Sequence, residues 1–108
     1  MDIIEALTAA VEREASDIFL VAGMPLSYKI GGRIEEFNEA KMSPSQIEEM
    51  VAQLYQTAGD RSMKKIKDLG DDDFSFAVPS LSRFRANVFR QRGSLAAIIR
   101  IITFDLPD

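Results

Sequence analysis

No cysteine and no histidine occur among the 108 residues, and there is no tryptophan. Without cysteine there is no disulfide framework, no zinc–thiolate site and no thiol nucleophile. Without histidine the commonest general base, the usual switch near neutral pH and the usual transition-metal ligand are missing. No apolar run approaches the length of a membrane span. Met1-Asp2-Ile3-Ile4-Glu5 brings an acid at once and no basic stretch, which does not fit a secretory signal, so a cytoplasmic protein is expected. The glycine patterns G-x-x-x-x-G-K-[ST], G-x-G-x-x-G and G-x-S-x-G are absent, as are repeats and low-complexity tracts. Catalysis would have to use carboxylates, lysine, tyrosine or a site borrowed from another domain. The length suits one domain with one modest core.

Acidic residues are missing from one long segment. From Phe74 through Phe104 there is no Asp or Glu, and five of the eight arginines lie there. The segment carries +5 and the remainder −9, within a net charge of −4. In Arg83-Phe84-Arg85-Ala86-Asn87-Val88-Phe89-Arg90-Gln91-Arg92-Gly93 the residues read as β-strand. Alternation then puts Arg83, Arg85 and Asn87 on one face and Phe84, Ala86 and Val88 on the other. A guanidinium row suits phosphate or carboxylate, because the planar fork donates two parallel hydrogen bonds. The plainer reading is a solvated face, or arginines paired with acids elsewhere in the chain.

Residues 2–14 read as a helix capped by Asp2, with Ile3, Ile4, Leu7 and Val11 as its apolar stripe. Ile18 to Val21 suits a buried strand. Residues 26–37 read as a hairpin turning at Gly31-Gly32, a pair that tolerates positive φ at both central positions. Ser43-Pro44-Ser45-Gln46 starts a helix by a capping box, with Ile47, Met50, Val51, Leu54 and Tyr55 on one face. A shorter helix after Asp60 would turn Met63, Ile66 and Leu69 inward and end at Gly70. Asp71-Asp72-Asp73 reads as a charged turn or an ion-pair partner of the arginine row, with a hard-cation site as the functional alternative. Phe74, Phe76 and Val78 point inward from the next strand. Leu95 to Ile102 is apolar on both faces and reads as a central strand, interrupted by Arg100. Such a charge is costly unless it is paired or points into a site. The order α-β-β-β-α-α-β-β-β predicts an α+β domain of PAS-like outline. Its antiparallel sheet should hold five or six strands with helices packed on one face.

Four pieces along the chain carry a family resemblance. They are Ala15-Ser16-Asp17-Ile18-Phe19-Leu20, Ala22-Gly23-Met24-Pro25 with Ile30-Gly31-Gly32-Arg33-Ile34, Asp73-Phe74-Ser75-Phe76, and the stretch Arg83 to Gly93. The chain resembles the N-terminal domain of the PilT/PilU-type twitching-motility ATPases, the type IV pilus retraction motors of the secretion-ATPase superfamily. The resemblance implies a PAS-like domain over residues 1–104 and, at 105–108, the start of a linker to a RecA-like ATPase domain. That domain's Walker A and B elements lie outside this chain, so the chain is expected not to hydrolyse ATP alone. It also implies a homo-hexamer with ATP and Mg bound between the two domains. Partners would be the chain's own ATPase domain, neighbouring subunits and an inner-membrane platform protein, with no nucleic acid and no membrane insertion. The location would be cytoplasmic, peripheral to the inner face of the membrane. Two family arginines fifteen residues apart on neighbouring strands reach the phosphates. That spacing matches Arg85 and Arg100, with Arg83 and Arg92 as further candidates and no metal ligand in this chain. Many relatives have His where Phe19 stands, so any role of that His is lost here, and Phe looks more like the PilU branch. The isolated domain is expected to be a monomer or weak dimer.

Two other classes stand beside this one. A nucleic-acid module would use the arginine face with Phe84 or Phe89 for stacking, against the chain's acidity. A free-standing PAS-like sensor or regulatory domain would need an internal cavity.

Overall fold

The computed structural model describes residues 2–102. The elements are α1 (Ile3–Glu12), β1 (Asp17–Val21), β2 (Pro25–Ile30), β3 (Arg33–Lys41), α2 (Pro44–Thr57), α3 (Lys64–Leu69), β4 (Asp71–Val78), β5 (Ser82–Gln91) and β6 (Ser94–Ile102). This is the expected α+β order. The domain boundary at 104 and the linker at 105–108 lie outside the described residues.

Local chemistry sets most of the boundaries. The Asp2 side chain accepts from the Glu5 amide at 2.8 Å and caps α1. That helix ends at Glu12 rather than at residue 14, and Glu14 takes a positive φ of 58°. Its buried face is Ile3, Ala6, Leu7 and Ala10. The stripe is therefore rotated from the expected one: Ala6 and Ala10 are buried, Ile4 is exposed and Val11 half-buried. The reciprocal box at Ser43 and Gln46 caps α2, with Pro44 in its first turn. Gly31 and Gly32 both adopt positive φ, and the β2–β3 hairpin continues to Lys41. Leu69 does not point inward. It is 71% exposed, because α3 is a single six-residue helix stopped by the left-handed Gly70 and only Ile66 from it is buried.

Six antiparallel strands form one sheet in the order β3-β2-β1-β6-β5-β4. Each half of the sheet is a meander, and β1 and β6 join them at the centre. Burial alternates along the strands. Ile18, Leu20, Tyr28, Phe84, Ala86, Val88, Ala97 and Ile99 face the helices and are almost wholly buried. Each large apolar side chain removed from water here contributes about 1.5–3 kcal/mol. Tyr28 reaches through this layer to donate to the Ala6 carbonyl at 3.0 Å, tying β2 to α1. The opposite sheet face bears no helix among the described residues.

Candidate functional site

The open sheet face brings Arg85 and Arg100 together. Strand register makes them direct cross-strand partners on β5 and β6. The same row continues through Ser75 on β4, Asp17 on β1, Lys29 on β2 and Ile34 on β3. Like charges directly opposite one another destabilise a sheet unless something compensates. Here carboxylates flank them on both sides. Arg85 donates from Nε and Nη2 to the two Asp73 oxygens, both at 3.0 Å. Arg100 Nε lies 3.5 Å from Asp17 Oδ1, and the Ser16 hydroxyl donates to the other Asp17 oxygen at 2.8 Å. Asp17 stands next to Arg100 in the row, and Asp73 reaches Arg85 diagonally from the neighbouring row, where it stands opposite Asn87.

Arg85, Arg100, Asp17, Asp73, Asn87 and Ile98 line a shallow groove of about 240 Å³. Hydrogen bonds from Arg85, and its charge, hold the Asp73 carboxyl below the ordinary carboxylate range. The same bonds raise the Arg85 guanidinium further above its already high value. Arg85 therefore stays charged. The side chains of Arg85 and Arg100 are 62% and 72% exposed, so neither suffers the desolvation that a buried charge would. Arg100 meets the condition set for a charge in this strand, because it is paired and lines the groove. It interrupts an apolar strand at the centre of the sheet, yet it points to the open face beside Asp17. Exposed Ile98 and Ile102 occupy that face too, which is why the strand looks apolar on both sides.

The other candidates fall elsewhere. Arg83 shares the open face but stands opposite Ile102, one row further along. Arg92 sits in the β5–β6 turn at φ 52°, beside Gly93, and lines a separate depression with Gln91, Ser94 and Val21. Phe84 is wholly buried, so it offers no stacking surface, and Phe89 is half-buried. Phe19 lies on the open face opposite Ile98. The three aspartates are not a turn. They begin β4 and diverge, with Asp71 and Asp73 on the open face and Asp72 among the helices. Their carboxylates therefore do not converge on one cation.

Asp72 belongs to a second cluster that sequence reasoning missed. Tyr55 Oη donates to Asp72 Oδ2 at 2.7 Å, and Arg61 Nε and Nη2 donate to its two oxygens at 3.0 and 2.9 Å. Arg61 also lies over the Phe74 ring, 4.7 Å from its centre. These partners pull the Asp72 carboxyl down to about 2, and burial together with the Asp72 charge pushes the Tyr55 hydroxyl up. The cluster locks α2, the following loop and β4 together. Only the burial parity of β4 could have hinted at it.

No protein-family model matches the chain. The type IV pilus retraction ATPase PilT of Pseudomonas aeruginosa is 33% identical over 102 residues, covering 94% of this chain and 29% of PilT. The type IV pilus ATPase PilU of the same organism is 27% identical over 107 residues, covering 99% of this chain and 27% of PilU. A crystal structure of the pilus retraction motor PilT with bound ADP superposes on the whole chain at a TM-score of 0.85 and 36% identity, using 31% of that protein. The Legionella pneumophila ATPase DotB shares the fold at a TM-score of 0.73 and 19% identity. This chain is homologous to the PilT/PilU type IV pilus ATPases, matches the N-terminal domain of PilT, and spans less than a third of the length of these relatives.

Proposed function

We propose that this chain is the N-terminal domain of a hexameric type IV pilus retraction ATPase, and that it supplies Arg85 and Arg100 to the phosphates of ATP held by a C-terminal ATPase domain. The observation that carries the reading is the register of the two arginines, which face each other across β5 and β6 on the face that bears no helix among the described residues. Two guanidiniums there present a pair of forks to one oxyanion, and their mutual repulsion falls when a phosphate lies between them. Fixed positive donors aimed at phosphate oxygens stabilise the charge that develops in phosphoryl transfer. The homologue PilT has been seen with ADP, which fits a nucleotide at this face.

Exposed Ile98 and Ile102 beside the arginines fit a face that another domain covers. Mg and the attacking water belong, on this reading, to the ATPase domain. No helix among the described residues is long and apolar enough to cross a membrane. Attachment to the membrane machine would then run through protein partners, a platform protein and neighbouring subunits.

The test is ATP turnover by the full-length protein carrying Arg100→Glu. Hydrolysis should be lost while the domain keeps its fold, as read by circular dichroism. Wild-type turnover in that variant would refute the assigned role.

A further inference from the structure

The site contains as many carboxylates as guanidiniums. Asp73 takes the side edge of Arg85, Nε with Nη2, and among the described residues those are the only hydrogen bonds its guanidinium makes. The Nη1 end of the fork therefore stays free toward the groove. Among the described residues the Arg100 guanidinium makes one ion pair, at 3.5 Å to Asp17. The groove thus offers donors from both arginines, but its formal charge is zero: Arg85 and Arg100 against Asp73 and Asp17.

We propose that Asp73 is a built-in counter-ion that sets the affinity of this groove for phosphate. It fixes the guanidinium of Arg85 while cancelling its charge, so an oxyanion is held weakly and exchanges readily. The inference rests on the phosphate reading of Arg85 and Arg100 and adds a residue to it. Asp73 suits this work better than Asp17. It is 43% exposed and lies on the edge strand β4, whereas Asp17 is only 12% exposed and fixed by Ser16. Hydrogen bonds from Arg85 keep Asp73 ionised across the neutral range, so its charge is constant there. The consequence for the motor is that phosphate binds strongly only when a second surface adds positive charge. A released product is then not retained by this domain alone.

The probe is inorganic tripolyphosphate, titrated into the chain at low ionic strength and followed by the Nε–H resonances of Arg85 and Arg100. Asp73→Asn should bind about two- to fivefold more tightly than wild type, the range expected when a partly exposed counter-charge is removed. The difference should shrink as added salt screens the groove. Asp73→Glu, which restores the charge, should return the affinity toward wild type, an effect that a purely structural aspartate would not show. If Asp73→Asn does not fold, Asp73→Ser serves the same measurement. Equal or weaker binding by the neutral variants, with Arg85→Gln still abolishing it, would overturn the counter-ion role and leave the phosphate reading standing. Binding that is indifferent to Arg85→Gln and Arg100→Gln would overturn both.

Discussion

Asp72 accepts hydrogen bonds from Tyr55 and Arg61 with its side chain wholly buried, so its removal leaves three donor groups without their acceptor. Asp72→Asn should lower the unfolding free energy by about 2 kcal/mol, and Tyr55→Phe by about 1 kcal/mol, in urea titrations at neutral pH. The pH dependence follows from the shift. The folded Asp72 carboxyl titrates at about 2 against an ordinary value of 3.8. Its contribution is therefore full above the ordinary value and is lost as pH falls through about 2. The stability gap between wild type and Asp72→Asn should narrow over that acid interval. A gap that stays constant down to pH 2 would mean that Asp72 is not held ionised by Arg61. Nothing in Asp71-Asp72-Asp73 reveals this. Alternation says that the middle acid faces away from its neighbours, but its partners lie eleven and seventeen positions away in the chain. The cross-strand arginines were more legible, since strand parity put Arg85 in an arginine row, the charge inside an apolar strand marked Arg100, and the family spacing paired the two. The carboxylate beside Arg100 was not, because Asp17 meets it only through the pairing of β1 with β6.

Among the elements, α2 was readable because its start is local chemistry: Ser43, Pro44 and Gln46 suffice to build the cap. Ser43→Ala should destabilise the domain by about 1 kcal/mol, measured by thermal or urea unfolding. No loss would mean that the cap is redundant with tertiary packing. The α3 helix was misread at its last residue. A pattern of Met63, Ile66 and Leu69 looks amphipathic, but one short helix ending at a left-handed glycine swings Leu69 into solvent. Leu69→Ser should therefore change stability by less than about 0.5 kcal/mol. A larger loss would restore Leu69 to the core. The rotated stripe of α1 has the same kind of cause. Its buried alanines carry no strong apolar signal, and the exposed Ile4 does.

On the scale of the whole molecule, charge and layer agree. One sheet face is closed by helices and filled with apolar side chains. The other carries paired acids and arginines with exposed Ile34, Ile98 and Ile102. Fold class and strand number follow from the pattern of elements, but the pairing of β1 with β6 is a non-local outcome. It brings the strand after Ser16 beside the strand holding Arg100, and so assembles the groove. Because both arginines are exposed, Arg85→Gln and Arg100→Gln should leave the thermal midpoint of this domain unchanged while impairing the full-length ATPase. The central claim is that these guanidiniums meet nucleotide phosphate, and the most direct measurement is the structure of the full-length protein with a non-hydrolysable ATP analogue. The account predicts guanidinium nitrogens of both Arg85 and Arg100 at hydrogen-bonding distance, about 2.7–3.2 Å, from phosphate oxygens. A bound nucleotide whose phosphates touch neither arginine, with this sheet face turned away from it, would contradict the account.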